Sequence, residues 1–278
     1  MIADVVPIMR LHFKRYGDGE PLIILHGLFG SLDNWHSMSA NLAARFQVLA
    51  VDQRNHGASP HSPEMSYPLM ADDLDELMRA EGLAVANVMG HSMGGKTAMQ
   101  FALRYPHRVE KLIVVDIAPR VYSPRHAGIL NALLALDLAS FQTRNQIGDA
   151  LAPAIPELGT RQFLLKNLTR GAQGHFAWKL GLREINVGYA RLSEAPGAER
   201  PCEKPALFIR GESSDFLKAD DLQLIRELFP KAELRTIPAA SHLPHVENPA
   251  VFLETVIEFL RSSARPADLK RAPEAPPG

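Results

Sequence analysis

The sequence is poor in the features that mark several protein classes. Its 278 residues include a single cysteine, Cys202, which cannot form an internal disulfide or a cysteine-based metal cluster. Lysine plus arginine number 30 against 31 aspartate plus glutamate, so no basic excess is available to neutralise nucleic-acid phosphates. No apolar run approaches the ~18 residues that cross a bilayer, and the first residues lack the basic head and apolar core of a secretory signal. These absences predict a cytoplasmic protein with no membrane span and no nucleic-acid partner.

The middle of the chain alternates strand-like and helix-like segments. Short apolar runs, several of them rich in β-branched residues, lie at 22–25, 47–51, 85–89, 112–117, 206–209 and 233–237. Apolar residues recur at helical spacing in 69–80, 97–104 and 252–260. Buried strands that alternate with helices predict an α/β fold in which a parallel sheet carries helices on both faces.

The alternation stops between Pro119 and Pro201. Helical patterns interrupted by proline and glycine fill this stretch, at 129–138, 161–168 and 176–182. No strand pattern is evident there. We therefore expect a helical insertion between two strands of one sheet.

A Gly-x-Ser-x-Gly pattern follows the strand predicted at 85–89. It reads Gly-His-Ser-Met-Gly over 90–94, and a helical pattern comes directly after it. In this strand–turn–helix setting the serine hydroxyl stands exposed at the carboxyl end of the strand, beside the N–H groups of the helix start. The plainer interpretation is a glycine-rich turn with a bystander serine. The context favours Ser92 as a nucleophile.

A second glycine-rich turn, His-Gly-Leu-Phe-Gly over 26–30, follows the strand predicted at 22–25. Attack by a serine on an ester creates an oxyanion, which needs preorganised hydrogen-bond donors. One donor should be the backbone N–H after the nucleophile, that of Met93. The other should come from the earlier turn, where Leu28 is the candidate.

The histidine that activates such a serine is expected last in the chain order, after a late strand. His242 comes first in the loop after the strand predicted at 233–237 and is the predicted base, with His245 in reserve. Pro244 keeps the two histidines from sharing a helix face, and no third ligand pattern is evident. A metal site is therefore not predicted.

Two aspartates qualify as the acid that would hold the histidine in its correct tautomer. Asp116 falls in the strand run predicted at 112–117, near its end, and Asp215 follows the strand predicted at 206–209. Both lie at carboxyl ends of strands, where sites form in open α/β sheets, and either geometry could serve. The residues alone leave the choice open.

These motifs, in this order, resemble the α/β-hydrolase superfamily over about residues 10–262. The string Asp-Gln-Arg-Asn-His-Gly-Ala-Ser-Pro-His-Ser-Pro at 52–63, with the motif at 90–94 and Val-Asp-Ile-Ala-Pro at 115–119, is similar to YbfF-type bacterial esterases and to a related mitochondrial group of α/β-hydrolases. The string itself reads as a proline- and glycine-rich loop that shapes a wall of the site. In that group the acid stands at the position matching Asp116, whereas Asp215 departs from the group's pattern and stays the alternative.

The resemblance implies the α/β-hydrolase fold, a mostly parallel sheet flanked by helices with an inserted helical cap. Because the serine precedes the insertion and the histidine follows it, the two flanks must form one core. The predicted division is a core at 1–119 and 201–264, a cap at 120–200, and a disordered tail at 265–278 that holds four prolines.

The resemblance and the motifs together predict a serine hydrolase that cleaves small-molecule acyl esters through an acyl-enzyme on Ser92, with no metal or organic cofactor. An acyl-CoA thioesterase with the same machinery is the close alternative. A non-catalytic, hydrolase-like ligand receptor is a more distant one, because a receptor need not keep the serine, the histidine and the acid together.

Overall fold

The computed structural model describes residues 9–171, 174–197 and 199–262. The strands of this part of the chain are β1 (Phe13–Tyr16), β2 (Glu20–Leu25), β3 (Phe46–Val51), β4 (Ala86–His91), β5 (Val109–Val115), β6 (Leu168–Arg170), β7 (Phe176–Trp178), β8 (Ala206–Gly211) and β9 (Ala232–Ile237). Its α-helices are α1 (His36–Leu42), α2 (Tyr67–Ala80), α3 (Met93–Arg104), α4 (Ala127–Leu134), α5 (Arg144–Leu151), α6 (Leu158–Leu165), α7 (Leu182–Ser193), α8 (Leu222–Leu228), α9 (Pro244–Glu247) and α10 (Pro249–Arg261).

Seven strands form one sheet in the order β1-β3-β2-β4-β5-β8-β9. Only the β1–β3 pair is antiparallel, and the other neighbours run parallel. The prediction of an α/β fold with a mostly parallel sheet is confirmed, and each of the six predicted strands has its counterpart. The prediction missed β1, because this edge strand reads Phe-Lys-Arg-Tyr and lacks the apolar run that identifies a buried strand.

Helices cover both faces of the sheet, as alternate side chains of β2 show. Ile23 and Leu25 belong to the hydrophobic core shared with α2, α3 and α8. Leu22 and Ile24 belong to a second core on the opposite face, shared with α1 and α10. Successive side chains of a strand point to opposite faces, so a strand buried on both faces needs a continuous apolar run rather than an alternating one.

The segment between β5 and β8 forms its own layer. Its helices α4, α5, α6 and α7 bury Leu130, Ile147, Leu164 and Ile185 in a third hydrophobic core. A helical insertion is therefore present, but β6 and β7 add an antiparallel hairpin that was not expected. The helix predicted at 176–182 is wrong, because Phe176–Trp178 forms β7. A strand of three residues is too short for its periodicity to be distinguished from a helix.

The tail predicted to be disordered, 265–278, lies outside the described residues. Among the described helices, none combines the length and apolar composition needed to cross a membrane. Within the same ranges, no three His, Cys, Asp or Glu side chains are grouped so that they could hold a metal ion.

Candidate active site

Ser92 occupies the sharp turn between β4 and α3. Its φ of 52° and ψ of −114° lie where a non-glycine residue is strained by about 1–3 kcal/mol. The Ser92 N–H donates to the Val115 carbonyl at 3.0 Å, and the Ser92 carbonyl accepts from the Lys96 N–H at 3.0 Å. The turn is thus held on both sides, and the serine stands at the carboxyl end of β4 with the start of α3 beside it.

The two glycines of the motif are required by close backbone approach. A Cβ atom at Gly90 would lie 2.0 Å from the carbonyl oxygen of Gly94, and one at Gly94 would lie 2.4 Å from that of Leu25. Only residues without a Cβ let α3 begin this close to the ends of β2 and β4. The glycines of the Gly-x-Ser-x-Gly pattern are therefore explained by the crowded backbone around Ser92.

Asp116 lies directly after β5, fully buried and with a φ of 55°. Its Oδ2 lies 2.8 Å from Nδ1 of His242, and its Oδ1 accepts the N–H of Gly211 at 3.1 Å. The hydroxyl of Ser214 donates to the same Oδ2. Donors from two other loops therefore converge on one buried carboxylate and fix its orientation.

The structure brings Asp116, and not Asp215, to His242. Asp215 is exposed, whereas its neighbour Ser214 is buried and reaches the Asp116 carboxylate. The loop after β8 thus contributes a hydroxyl to the acid. Sequence reasoning missed Ser214, and its only signal there is its place in the loop after a strand.

His242 is held from several directions in the loop between β9 and α9. Its ring stacks on Phe216 with 3.8 Å between centroids, and its side chain is 26% exposed. The Nε2 atom of His91 lies 2.8 Å from the His242 carbonyl oxygen. Burial lowers the pKa of His91 well below its ordinary value, so the neutral ring donates Nε2–H to that carbonyl.

The reserve base, His245, is placed differently. Its ring stacks on Trp35 with 4.2 Å between centroids and 8° between planes. Burial lowers its pKa to about 3, and in the described part of the chain its Nδ1 has no hydrogen-bond partner. A neutral ring packed against an indole forms a wall of the site.

The turn predicted to hold the oxyanion reverses the chain after β2. The N–H of Gly30 donates to the carbonyl of Gly27 at 3.0 Å, and Phe29 takes a φ of 60°. Leu28, at the second position of this turn, lines a cavity together with Ser92. Met93 is the first residue of α3, so its N–H is among those without an intrahelical partner. The predicted donor Met93 therefore follows Ser92 directly, and the predicted donor Leu28 lines the same cavity as Ser92.

Two buried histidines tie this turn to the loop at 52–63. The N–H of Phe29 donates to Nε2 of His56 at 3.2 Å. In the opposite direction, the N–H of Gln53 donates to Nε2 of His26 at 3.1 Å. We call this exchange of hydrogen bonds the histidine lock. It gives the 52–63 string, predicted only to shape a wall, a contact with the turn that carries Leu28.

The histidine lock requires both rings to be neutral. Nδ1 of His56 lies 2.9 Å from the Arg54 carbonyl oxygen, and Nδ1 of His26 lies 2.8 Å from that of Gly27. Each ring therefore carries its proton on Nδ1 and accepts with Nε2. Burial lowers the pKa of His26 to about 4 and that of His56 to about 3, which keeps both rings in this form.

A cavity of about 380 Å³ opens at Ser92. Its walls come from the oxyanion turn, from the His242 loop and from the inserted segment, which contributes Ile129, Phe163 and Leu164. A smaller cavity of about 50 Å³ also borders Ser92. Ser92 thus lines two cavities of different size.

Several known proteins are similar to this chain over most of their length. The family described as alpha/beta hydrolase fold matches residues 20–249. The sn-1-specific diacylglycerol lipase ABHD11 of Danio rerio is 39% identical over 257 residues, which cover 90% of this chain and 81% of that protein. Esterase YbfF of Escherichia coli K12 is 34% identical over 246 residues, which cover 87% of this chain and 94% of that protein.

Among solved structures, one named Marine microorganism esterase superimposes with a TM-score of 0.88 at 44% sequence identity. The match covers 90% of this chain and 99% of that one.

Proposed function

The chain belongs to the alpha/beta hydrolase fold family, and we propose that it hydrolyses carboxylic esters through an acyl-enzyme on Ser92. It is an ester hydrolase, as relatives named esterase or lipase at 34% to 39% identity indicate. These names do not favour the thioesterase alternative. The partner is a small-molecule ester, and a cytoplasmic location stays a prediction from composition.

The observation that carries the proposal is the 2.8 Å contact between His242 and the fully buried Asp116 carboxylate. With Nδ1–H donated to Asp116, Nε2 of His242 is left free to accept the hydroxyl proton of Ser92. Among the described residues, no hydrogen bond yet joins that hydroxyl to His242. Such bonds are often long in free enzymes and tighten when substrate binds.

In the proposed reaction the serine oxygen attacks the ester carbonyl while His242 takes its proton. The N–H groups of Leu28 and Met93 stabilise the oxyanion, and His242 then protonates the leaving alcohol. Water, activated by the same histidine, hydrolyses the acyl-enzyme. Apart from the water, the proposed steps use only groups of this chain, with no metal or organic cofactor.

We also propose that the chain divides into a core at 1–119 and 201–264 and a cap at 120–200. Two observations on the described residues support this. The inserted helices contribute most residues of a hydrophobic core that they share with Phe29, Tyr67 and Met93, and they supply Ile129 and Phe163 to the cavity at Ser92. A cap in this position shields the reacting ester from bulk water.

Labelling with a fluorophosphonate tests the proposed function directly. The probe phosphonylates an activated serine, so it should label the wild-type protein and fail to label Ser92→Ala. Circular dichroism on both proteins establishes that they are folded. Folded wild-type protein that stays unlabelled, or equal labelling of the variant, contradicts the assignment of Ser92.

A further inference from the structure

Two cavities of different size meet at Ser92, with volumes of about 380 Å³ and about 50 Å³. The smaller, which we call the side pocket, is lined by Tyr67, Met93, Lys96, Tyr122, Tyr189 and Leu192 among others. We propose that the side pocket binds the acyl group and that the larger cavity, the main chamber, binds the alcohol. The preferred substrates are then esters of short acyl chains with bulky alcohols. This inference rests on the proposed serine esterase function.

The position of His242 decides which side takes which group. In the tetrahedral intermediate the carbon carries the serine oxygen, the oxyanion, the leaving alkoxide and the acyl chain. The alkoxide must lie within reach of the histidine that protonates it. Of the described residues, His242 lines the main chamber and does not line the side pocket, Met93 lines the side pocket alone, and Leu28, the other proposed oxyanion donor, lines both. The acyl chain therefore takes the side pocket, which His242 does not line.

The volume of the side pocket limits the length of the acyl chain. One water position occupies about 10–15 Å³ of volume measured in this way, so the pocket holds about four non-hydrogen atoms beyond the carbonyl carbon. Acyl groups from acetyl to about pentanoyl fit this space. The main chamber, at about 380 Å³, accepts an aromatic or branched alcohol.

The walls of the side pocket are fixed by hydrogen bonds to backbone carbonyls. The hydroxyl of Tyr67 donates to the Leu192 carbonyl at 2.7 Å. The ammonium of Lys96 donates to the carbonyls of Ser193 and Glu194 at 3.2 and 2.5 Å. These bonds connect α2 and α3 to the end of α7, so the wall cannot retreat from a longer chain without breaking them.

Tyr122 and Tyr189 are also fixed by hydrogen bonds to backbone groups. The hydroxyl of Tyr122 accepts the N–H of Ala118 and donates to the carbonyl of Phe216. The hydroxyl of Tyr189 accepts the N–H of His126 at 2.7 Å. Because their polar ends are occupied by backbone groups, these residues offer the pocket mainly aromatic surface, which suits an apolar acyl chain.

Two series of esters test whether the side pocket binds the acyl group and the main chamber the alcohol. In the first, kcat/KM is measured for p-nitrophenyl esters from acetate to dodecanoate. We expect an optimum between acetate and butyrate and a fall of about tenfold or more by octanoate, since a rigid pocket rejects each surplus methylene. In the second, the acyl group stays acetyl while the aryl alcohol grows from phenyl to naphthyl. We expect kcat/KM to change by only a few-fold.

A matched pair of variants tests which part of the ester each cavity binds. Leu192 lines the side pocket alone, and Ile129 lines the main chamber alone. Leu192→Ala should shift the acyl optimum to longer chains, whereas Ile129→Ala should leave the acyl profile unchanged and alter the alcohol series. If Leu192→Ala does not fold, Leu192→Val takes its place, because valine removes less volume from the wall of the side pocket.

A wild-type optimum at octanoate or longer, or an acyl profile that moves in Ile129→Ala and not in the Leu192 variant, overturns the assignment. Fluorophosphonate labelling of Ser92 runs alongside. A labelled enzyme with a long-chain optimum refutes the side pocket alone. An unlabelled, folded enzyme that cleaves none of the esters refutes the proposed function instead.

Discussion

The buried histidines should make the stability of this fold depend on pH between 7 and 5. Burial lowers the pKa values of His26, His56 and His245 to about 4, 3 and 3. In this range the native protein keeps all three rings neutral, whereas the unfolded chain binds a proton on each below its ordinary pKa of about 6.5. The unfolded state therefore binds more protons, and the free energy of unfolding falls as pH falls. The full contribution is present above pH 6.5, and it is lost progressively as pH drops towards the folded-state values.

The size of the effect follows from the number of protons. Each proton that only the unfolded chain binds gives a slope of about 1.4 kcal/mol per pH unit, so these three give about 4 kcal/mol per unit below pH 6. His91, whose pKa burial also lowers, adds to this slope. Domains have a total stability of about 5–15 kcal/mol, so the fall from pH 6 to pH 5 removes a large share of it. Carboxylates contribute little in this window, because their ordinary pKa values lie near 4.

Urea unfolding followed by tryptophan fluorescence and circular dichroism at pH 7, 6 and 5 measures this slope. His245→Phe keeps an aromatic ring against Trp35 and removes one titrating site. We expect it to reduce the slope by about 1.4 kcal/mol per pH unit. His107→Phe is the matched control, because His107 is exposed and its replacement should leave the slope unchanged.

A free energy of unfolding that stays level from pH 7 to pH 5 would refute the reasoning, since it would mean that the native protein binds these protons too. A slope in His245→Phe equal to that of the wild type would remove His245 from the set.

Two further predictions concern catalysis. Asp116→Asn should lower kcat by about 10³–10⁴-fold, because an amide stabilises neither the required tautomer nor the protonated form of His242. Asp215→Asn is the control, and since Asp215 is exposed it should retain near-normal kcat. An Asp116→Asn enzyme of normal activity would show that another residue is the acid. His56→Ala leaves the buried Phe29 N–H without its acceptor, at a cost of about 1–3 kcal/mol. If the loss of this hydrogen bond displaces the oxyanion turn, kcat should fall about 10–100-fold with little change in KM. Steady-state kinetics that match the wild type would show that the histidine lock does not position the turn.

The main sheet could be predicted because its parallel strands are buried on both faces. Such strands need continuous apolar runs, and those of β2, β3, β4, β5, β8 and β9 are visible in the sequence. The strand β1 was missed because it is short, charged and half-exposed, and β6 and β7 because three residues show no period. In β1, β6 and β7 the extended conformation depends on hydrogen bonds to a partner strand. The residue pattern of a single segment does not show which other segment it pairs with.

The sequence predicted the order of the candidate site residues along the chain, but it did not predict the contacts between their loops. Ser92 and His242 each follow a recognisable strand. The choice between Asp116 and Asp215 depended on how the loop after β8 folds, which places Ser214 inside and Asp215 outside. The histidine lock depended on His56 reaching Phe29, a contact between separate loops that neither loop's spacing reveals.

The insertion of a whole helical layer between β5 and β8 has a consequence for the order of folding. These strands are neighbours in the sheet, with Leu112 opposite Ala206, although about 90 residues separate them, and closing so long a loop costs about 2 kcal/mol more than closing one of about ten. The inserted layer contributes most residues of a hydrophobic core that it shares with Phe29, Tyr67 and Met93. If it collapses first, it holds the ends of both strands close together and shortens the effective loop. The segment proposed to cover the substrate would then also act as an internal template for joining the two halves of the sheet, and destabilising it would slow the folding of a core to which it contributes no strand.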